Sequence, residues 1–162
     1  PTGVSGANAQ PAKELDKIRQ RVDSVSAKLG QRIKMLVGKL GLDGHSNGAE
    51  QIAVRARDAG LEVVYEGIRL TPEEIVAAAT QEGVHVIGLS ILSGSHVLLV
   101  SEVMQRLEDA GLKDVPVVAG GIIPEGDAEK LRSVGVARVY TPKDFDLNAI
   151  MSEIADIVEA RW

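Results

Sequence analysis

The chain has 162 residues, of which 44% are hydrophobic and 25% charged, and these values are typical of one compact globular domain. The formal net charge is -5 and basic residues are interleaved with acidic ones, so no basic stripe favours nucleic-acid binding. The chain contains no cysteine, which excludes disulfides, cysteine-based zinc sites and thiolate catalysis. No segment reaches the roughly 18 apolar residues that a membrane helix needs. We therefore expect a soluble, cytoplasmic protein with no membrane or nucleic-acid partner.

The chain divides into three predicted segments. Residues 1–10 are mostly small and begin without methionine, which is typical of a linker or tail in a longer polypeptide. Residues 11–31 form a predicted amphipathic helix, because Leu15, Ile18, Val22 and Val25 recur at three- and four-residue spacings. Residues 32–162 form the main predicted domain.

In that domain, short apolar runs alternate with helical patterns. The strands are predicted at residues 33–38, 62–66, 85–90, 115–119 and 138–140, and the helices at 49–59, 72–82, 95–110, 125–134 and 147–160. Such alternation predicts an α/β fold with a doubly wound, five-stranded parallel sheet. Because crossovers are right-handed, we expect a flavodoxin-like strand order of 2-1-3-4-5.

The helix ends carry capping signals. Thr71 precedes Pro72 and two glutamates, which predicts an N-cap followed by a proline in the first turn. Four glycines stand between a predicted helix and the next strand, as glycines that end helices do: Gly60, Gly83, Gly111 and Gly135.

Small residues and the most suggestive polar residues fall in three loops that follow predicted strands. These loops are residues 39–48, 90–96 and 120–124. In a doubly wound sheet, ligands bind outside the carboxyl ends of the strands, where neighbouring connections part. The sequence therefore predicts a binding site at this edge.

His45 is the principal candidate for chemistry. A lone histidine in a glycine-bordered loop is most often a surface residue. It is also suited to hold a metal, because Asp43 could fix its tautomer and Lys39 could moderate the charge of Asp43. The other two histidines lack metal-site spacing, so a single protein ligand indicates a metal that a cofactor brings.

The remaining loop residues allow two interpretations. Gly120 and Gly121 either form an ordinary tight turn or let a ligand approach the backbone closely. Ser90 and Leu92 are either residues at the edge of the core or a hydroxyl and an apolar wall of a ligand site. Neither a G-x-G-x-x-G loop nor a P-loop is present, and Ser90 stands where a phospho-acceptor domain would carry aspartate.

Three motifs together resemble a known family. The segment Asp43-Gly44-His45-Ser46-Asn47-Gly48, with Ser90-Ile91-Leu92 and Gly120-Gly121, resembles the Asp-x-His-x-x-Gly, Ser-x-Leu and Gly-Gly signature of cobalamin-binding domains. Over residues 32–162 the chain is similar to the cobalamin-binding domain of acyl-CoA mutases. Residues 65–69 and 140–150 resemble the ethylmalonyl type more closely than the methylmalonyl type.

The resemblance implies that adenosylcobalamin binds with its own base displaced and with His45 as the axial cobalt ligand. Asp43 and Lys39 would tune that ligand and so take part in catalysis. The other cofactor-binding residues that it implies are Gly44, Ser46, Asn47, Gly48, Ile52, Ser90, Leu92, Gly94, Gly120, Gly121, Ile122, Tyr140 and Thr141.

The resemblance further implies an isomerase that rearranges carbon skeletons by radical chemistry. The first candidate reaction is the conversion of ethylmalonyl-CoA to methylsuccinyl-CoA, and the second candidate is the conversion of methylmalonyl-CoA to succinyl-CoA. A separate substrate barrel or large subunit would bind the acyl-CoA, so the chain alone is expected to be inactive. Two alternatives remain open at this point: a corrinoid carrier for methyl transfer, and a non-catalytic cobalamin sensor or storage module.

Overall fold

The structure is a computed structural model, and it describes residues 2–40, 48–91, 96–144 and 146–162. Its six helices are α1 (Thr2–Leu29), α2 (Gly48–Asp58), α3 (Pro72–Glu82), α4 (His96–Asp109), α5 (Glu125–Ser133) and α6 (Leu147–Arg161) within that part of the chain. The strands are β1 (Lys34–Leu40), β2 (Glu62–Val64), β3 (Arg69–Leu70), β4 (Val86–Ile91), β5 (Val117–Gly121) and β6 (Arg138–Tyr140). A short 3-10 helix spans Pro142–Asp144.

All strand pairs in the sheet are parallel, and the order is β2-β1-β4-β5-β6. The predicted doubly wound fold is confirmed, with helices on both faces. The sheet has one strand more than expected, since the two-residue strand β3 also pairs with β1. The sequence did not reveal β3 because two residues are too few to show an alternating pattern.

The strands β1, β4 and β5 reach further toward their carboxyl ends than predicted, whereas β2 ends at Val64, two residues before its predicted end. β1 ends at Leu40 and β5 at Gly121, so Lys39, Gly120 and Gly121 are strand residues. The prediction that they belong to loops is wrong. Each is paired with a neighbouring strand, and this pairing fixes its position.

Helix α1 begins at Thr2 rather than at residue 11. The helix therefore includes residues 2–10, which the sequence predicted to be a linker or tail. Three residues of this segment, Ala7, Ala9 and Gln10, have high helix propensity.

The core lies on both faces of the sheet. Helices α3, α4 and α5 cover one face, where Ile75, Val103 and Leu131 are buried. Helices α2 and α6 cover the other face, and α1 packs outside them through Val22 and Val25. The side chains of β1 alternate between the faces, because successive residues of a strand point in opposite directions.

The predicted caps are present. The hydroxyl of Thr71 accepts from the backbone N–H of Glu74, whose carboxylate accepts in return from the N–H of Thr71. All four glycines predicted to end helices have positive φ angles: Gly60, Gly83, Gly111 and Gly135. Among the described residues, no helix is both long and apolar enough to span a bilayer.

Candidate functional site

Four of the predicted site residues form one row across the sheet. Lys39 of β1 is in register with Ser90 of β4, Ser90 with Gly120 of β5, and Gly120 with Tyr140 of β6. The strands are parallel, so residues in register point to the same face. This face carries α2 and α6. The row lies at the carboxyl ends of the strands, where the sequence predicted a site.

The next row on the same face is also small at its centre. It consists of Val37, Gly88, Val118 and Arg138. The methyl group of Met35 lies over Gly88, where a Cβ atom would be only 2.6 Å from Met35 Cε. Because Gly88 has no side chain, the side chain of Met35 can lie directly against β4. Few side chains therefore rise above the middle of this sheet face, which we call the floor.

Above this floor lies a slot between the sheet and the helices α2 and α6. The slot and the open solvent space at its mouth together have a volume of about 510 Å³. Its lining is almost entirely apolar, and Ser90 and Tyr140 are the two lining residues whose side chains carry a hydroxyl group. The lining residues are Met35, Val37, Gly48, Ala49, Ile52, Gly88, Leu89, Ser90, Val118, Ala119, Gly120, Gly121, Tyr140, Ile150 and Ile154.

Local sequence explains the two walls. Alanines on the buried side of α2 let this helix lie close to the sheet, and Ile52 extends from it into the slot. The carboxylate of Asp146 accepts from the backbone N–H groups of Asn148 and Ala149 and so fixes the start of α6. Ile150 and Ile154, one helical turn apart on α6, form the opposite wall.

Gly120 and Gly121 have different structural roles. A Cβ atom on Gly120 would meet only Tyr140, at 3.5 Å, which is ordinary contact. Gly121 has a φ angle of 144°, and a Cβ atom there would overlap the carbonyl group of Ile91. Gly120 thus keeps the floor of the slot open, whereas Gly121 lets β5 approach β4.

Tyr140 closes one end of the slot and is held by two charged residues. Its hydroxyl donates to Glu153 Oε2 at 2.7 Å, and Arg138 donates to both carboxylate oxygens, at 3.0 and 2.6 Å. Burial, followed by the bond to the Glu153 carboxylate, raises the pKa of Tyr140. Burial also opposes ionisation of Glu153, but the bonds from Arg138 and Tyr140 outweigh it and lower the pKa of Glu153. The phenol is therefore protonated and the carboxylate charged near neutral pH.

The other predicted residues are placed differently. Lys39 is buried in its row but does not line the slot. Ile122 follows β5 with 66% of its side chain exposed, outside the slot. Thr141 also lies outside, and its hydroxyl donates to Asp144 at 3.0 Å. The predicted residues Asp43, Gly44, His45, Ser46, Asn47, Leu92 and Gly94 lie outside the residues that the structure describes.

Several residues at the slot were not predicted from the sequence. Gly88 was identifiable, because it stands two residues before Ser90 in a strand and so points to the same face. Ile150 and Ile154 show helical spacing, but that spacing indicates burial and not a ligand site. Nothing local to Glu153 indicates its contact with Tyr140, which is made between α6 and β6.

Comparison with known proteins identifies the family. Residues 33–145 match the model of the B12 binding domain. The chain is 61% identical over 98% of its length to ethylmalonyl-CoA mutase of Cereibacter sphaeroides, and 54% identical over 98% to that of Methylorubrum extorquens. It spans only 24% and 23% of the length of these two relatives.

A third relative has nearly the size of this chain. The chain is 41% identical, over 80% of its length, to the small subunit of 2-hydroxyisobutanoyl-CoA mutase of Aquincola tertiaricarbonis, and it covers 94% of that subunit.

Solved structures agree on the fold. A cobalamin-binding protein from Desulfitobacterium hafniense aligns with a TM-score of 0.68 and 20% identity, covering 78% of this chain and 59% of that one. The signal receiver domain of a response regulator from Mycobacterium tuberculosis aligns with a TM-score of 0.59 and 16% identity, covering 80% and 98%. At these identities the likeness establishes the doubly wound fold alone, and the family rests on the sequence matches. The chain belongs to the B12-binding domain family.

Proposed function

We propose that this chain binds adenosylcobalamin as the cobalamin-binding part of an acyl-CoA mutase. The observation that carries the proposal is the apolar slot over Gly120, which lies between the sheet and helices α2 and α6 in a chain of the B12-binding domain family. The nucleotide tail of the cofactor, with its base displaced from cobalt, occupies this slot in our proposal.

The slot suits the tail base in shape and polarity. Dimethylbenzimidazole is a flat, apolar bicyclic ring, and ligand sites for such rings are mostly apolar with a few polar groups. Gly120 lines the slot without a side chain and gives the ring a floor, and Ile52 and Ile150 give it apolar walls. Ser90 places one hydroxyl at the mouth, at the carboxyl end of β4.

His45 is the proposed axial ligand of cobalt, and Asp43 is the proposed partner of its second ring nitrogen. Such a partner fixes the tautomer and increases the basicity of the ligating nitrogen. Lys39 is the proposed residue that moderates the charge of Asp43. It lies four residues before Asp43 in the sequence, and β1 places it in the same row as Ser90. Leu92 and Gly94 complete the proposed contacts with the cofactor.

Residues of this chain would hold adenosylcobalamin, which would supply radical chemistry through its weak cobalt–carbon bond. This chain's own residues hold the cofactor, orient its axial ligand and exclude water from the slot. They include no group that the resemblance assigns to the acyl-CoA, so we propose that a partner barrel or large subunit binds that substrate.

Exposed apolar side chains at the carboxyl edge of the sheet support such a partner. Leu98, in the first turn of α4, is 80% exposed, and Ile122 stands beyond β5 at the same edge. A partner that covers this edge would bury both residues and shield the radical from water.

Because the two ethylmalonyl-CoA mutases are more similar to this chain than the methylmalonyl-CoA mutases, we propose ethylmalonyl-CoA as the first substrate to test.

The test is the absorption spectrum of the chain with cobalamin. We expect the spectrum of cobalamin with its base displaced and histidine bound, and we expect His45→Ala to lose the histidine signature while keeping its fold. His85→Asn is the matched control, because His85 lies at the opposite edge of the sheet. An unchanged spectrum in His45→Ala would refute the proposed ligand.

The same titration has a pH dependence of known sign. Cobalt binds the neutral imidazole, so protons compete with the metal for His45. Affinity should therefore decrease as the pH falls.

A further inference from the structure

Two cavities of opposite character share a wall formed by Tyr140 and Ile150. On one side lies the apolar slot. On the other lies a polar cavity of about 910 Å³, including its open mouth, which is lined by Arg138, Asp144 and Glu153 among others. The position of the Tyr140 ring therefore determines where the slot ends.

Two elements of the fold bring these groups together. Tyr140 and Arg138 are two residues apart on β6, and both point to the face covered by α6. Glu153 reaches them from α6, where it lies between Ile150 and Ile154, the two residues that form the wall of the slot. One carboxylate thus joins the strand that carries Tyr140 to the helix that forms the opposite wall.

The geometry leaves Tyr140 little freedom. Its side chain is buried, and its single O–H is used in the bond to Glu153 Oε2. Arg138 contacts both oxygens of the same carboxylate, which fixes the orientation of the carboxylate. The phenol therefore presents only its ring to the slot.

We propose that Glu153, held in place by Arg138, is a positioning residue that keeps the Tyr140 ring as the end wall of the slot for the cofactor's tail base. This inference rests on the proposed function. Glu153 itself touches no cofactor in this proposal and acts through Tyr140. Its effect should therefore appear only with ligands that carry the tail.

The experiment compares cobalamin with cobinamide, a corrinoid that lacks the nucleotide tail. We expect Glu153→Ala to weaken cobalamin binding about 3- to 10-fold, less than the full value of a hydrogen bond to a charged group because Glu153 acts only through Tyr140, and to leave cobinamide binding unchanged. Glu153→Gln keeps an acceptor for the phenol and should restore part of the loss. Glu159→Gln, which removes a charge from the same helix beside Arg21, is the control and should not alter the ratio of the two affinities.

A double-mutant cycle tests whether Glu153 acts through Tyr140. Tyr140→Phe should reproduce the loss in cobalamin affinity, and adding Glu153→Ala to it should cause no further loss. Equal weakening of both ligands, or an unchanged ratio in Glu153→Ala, would overturn the positioning role. If the unmodified chain binds cobalamin no more tightly than cobinamide, the placement of the tail in the slot is itself wrong.

Discussion

Gly121 and Ile91 are so close across the β4–β5 pair that a Cβ atom on Gly121 would overlap the Ile91 carbonyl group. At the preceding residue, Gly120, which lines the slot, a Cβ atom would make only ordinary contact with Tyr140, at 3.5 Å. The two glycines of one motif thus have different roles, Gly121 in strand packing and Gly120 in the slot. Substitutions at the two positions should therefore have different effects.

We predict that Gly121→Ala lowers the free energy of unfolding by about 3 kcal/mol, because the new methyl group forces the backbones of β4 and β5 apart. Gly120→Val should change the unfolding free energy by less than about 1 kcal/mol. It should still weaken cobalamin at least about 10-fold while sparing cobinamide, because its side chain fills the slot. Urea unfolding and spectral titration measure both effects. Normal cobalamin affinity in Gly120→Val would place the tail elsewhere.

Asp43→Asn tests the proposed partner of the axial histidine. Loss of such an outer partner typically costs about 10–100-fold in affinity or activity, so we expect weakened but measurable cobalamin binding. The variant should keep its histidine-bound spectrum at saturating cobalamin. If Asp43→Asn binds as tightly as the unmodified chain, Asp43 does not support the ligand.

Dependence on a partner is a further prediction. The chain alone should bind adenosylcobalamin yet convert neither ethylmalonyl-CoA nor methylmalonyl-CoA, because a radical formed at an open edge is quenched before it meets substrate. Activity should appear when a mutase substrate barrel is fused to the chain or mixed with it. Turnover of either acyl-CoA by the chain alone would contradict the proposed division of labour.

His85 should make stability depend on pH. The His85 ring is buried, and its Nδ1 accepts from the backbone N–H of Lys34 at 3.0 Å. The Trp162 ring packs against it in a T-shaped arrangement, with 5.7 Å between the ring centroids. Burial, followed by the charge of Lys34, lowers the pKa of His85. The folded state therefore binds this proton less readily than the unfolded state does. The free energy of unfolding should fall as the pH drops below about 6.5, until the pH passes the lowered pKa.

The control for this effect is His85→Asn, whose side-chain oxygen can still accept from the N–H of Lys34. This variant should be less stable at pH 7.5, because it loses the packing against Trp162. Its additional loss of stability between pH 7.5 and 5.5 should be smaller than that of the unmodified chain. Equal losses in the two proteins would show that His85 does not titrate as predicted.

The attachment of α1 should depend on apolar contact more than on ion pairs. Val22 is fully buried against the core, so Val22→Ala should cost about 1–3 kcal/mol. Glu159 accepts from Arg21 and Lys28 at the surface, and these bonds lower the pKa of Glu159 to about 2. Glu159→Gln should nevertheless destabilise the chain less than Val22→Ala, because solvent screens exposed ion pairs. Urea unfolding at neutral pH compares the two variants.

Local signals in the sequence were sufficient for the architecture. Alternating strands and helices predicted the doubly wound sheet, and the handedness of crossovers predicted its order. Thr71 and glycines such as Gly83 marked helix ends correctly, because a cap depends on only a few neighbouring residues. The family followed from motifs whose spacing is visible in the chain itself.

Tertiary structure alone decided how those motifs meet. Lys39, Ser90, Gly120 and Tyr140 are far apart in sequence, and only strand register places them in one row. The contact of Glu153 with Tyr140 depends in the same way on how α6 packs over β6. Periodicity shows which face of an element is buried. It does not show which residues of two elements stand opposite each other, because that depends on packing between segments distant in the chain.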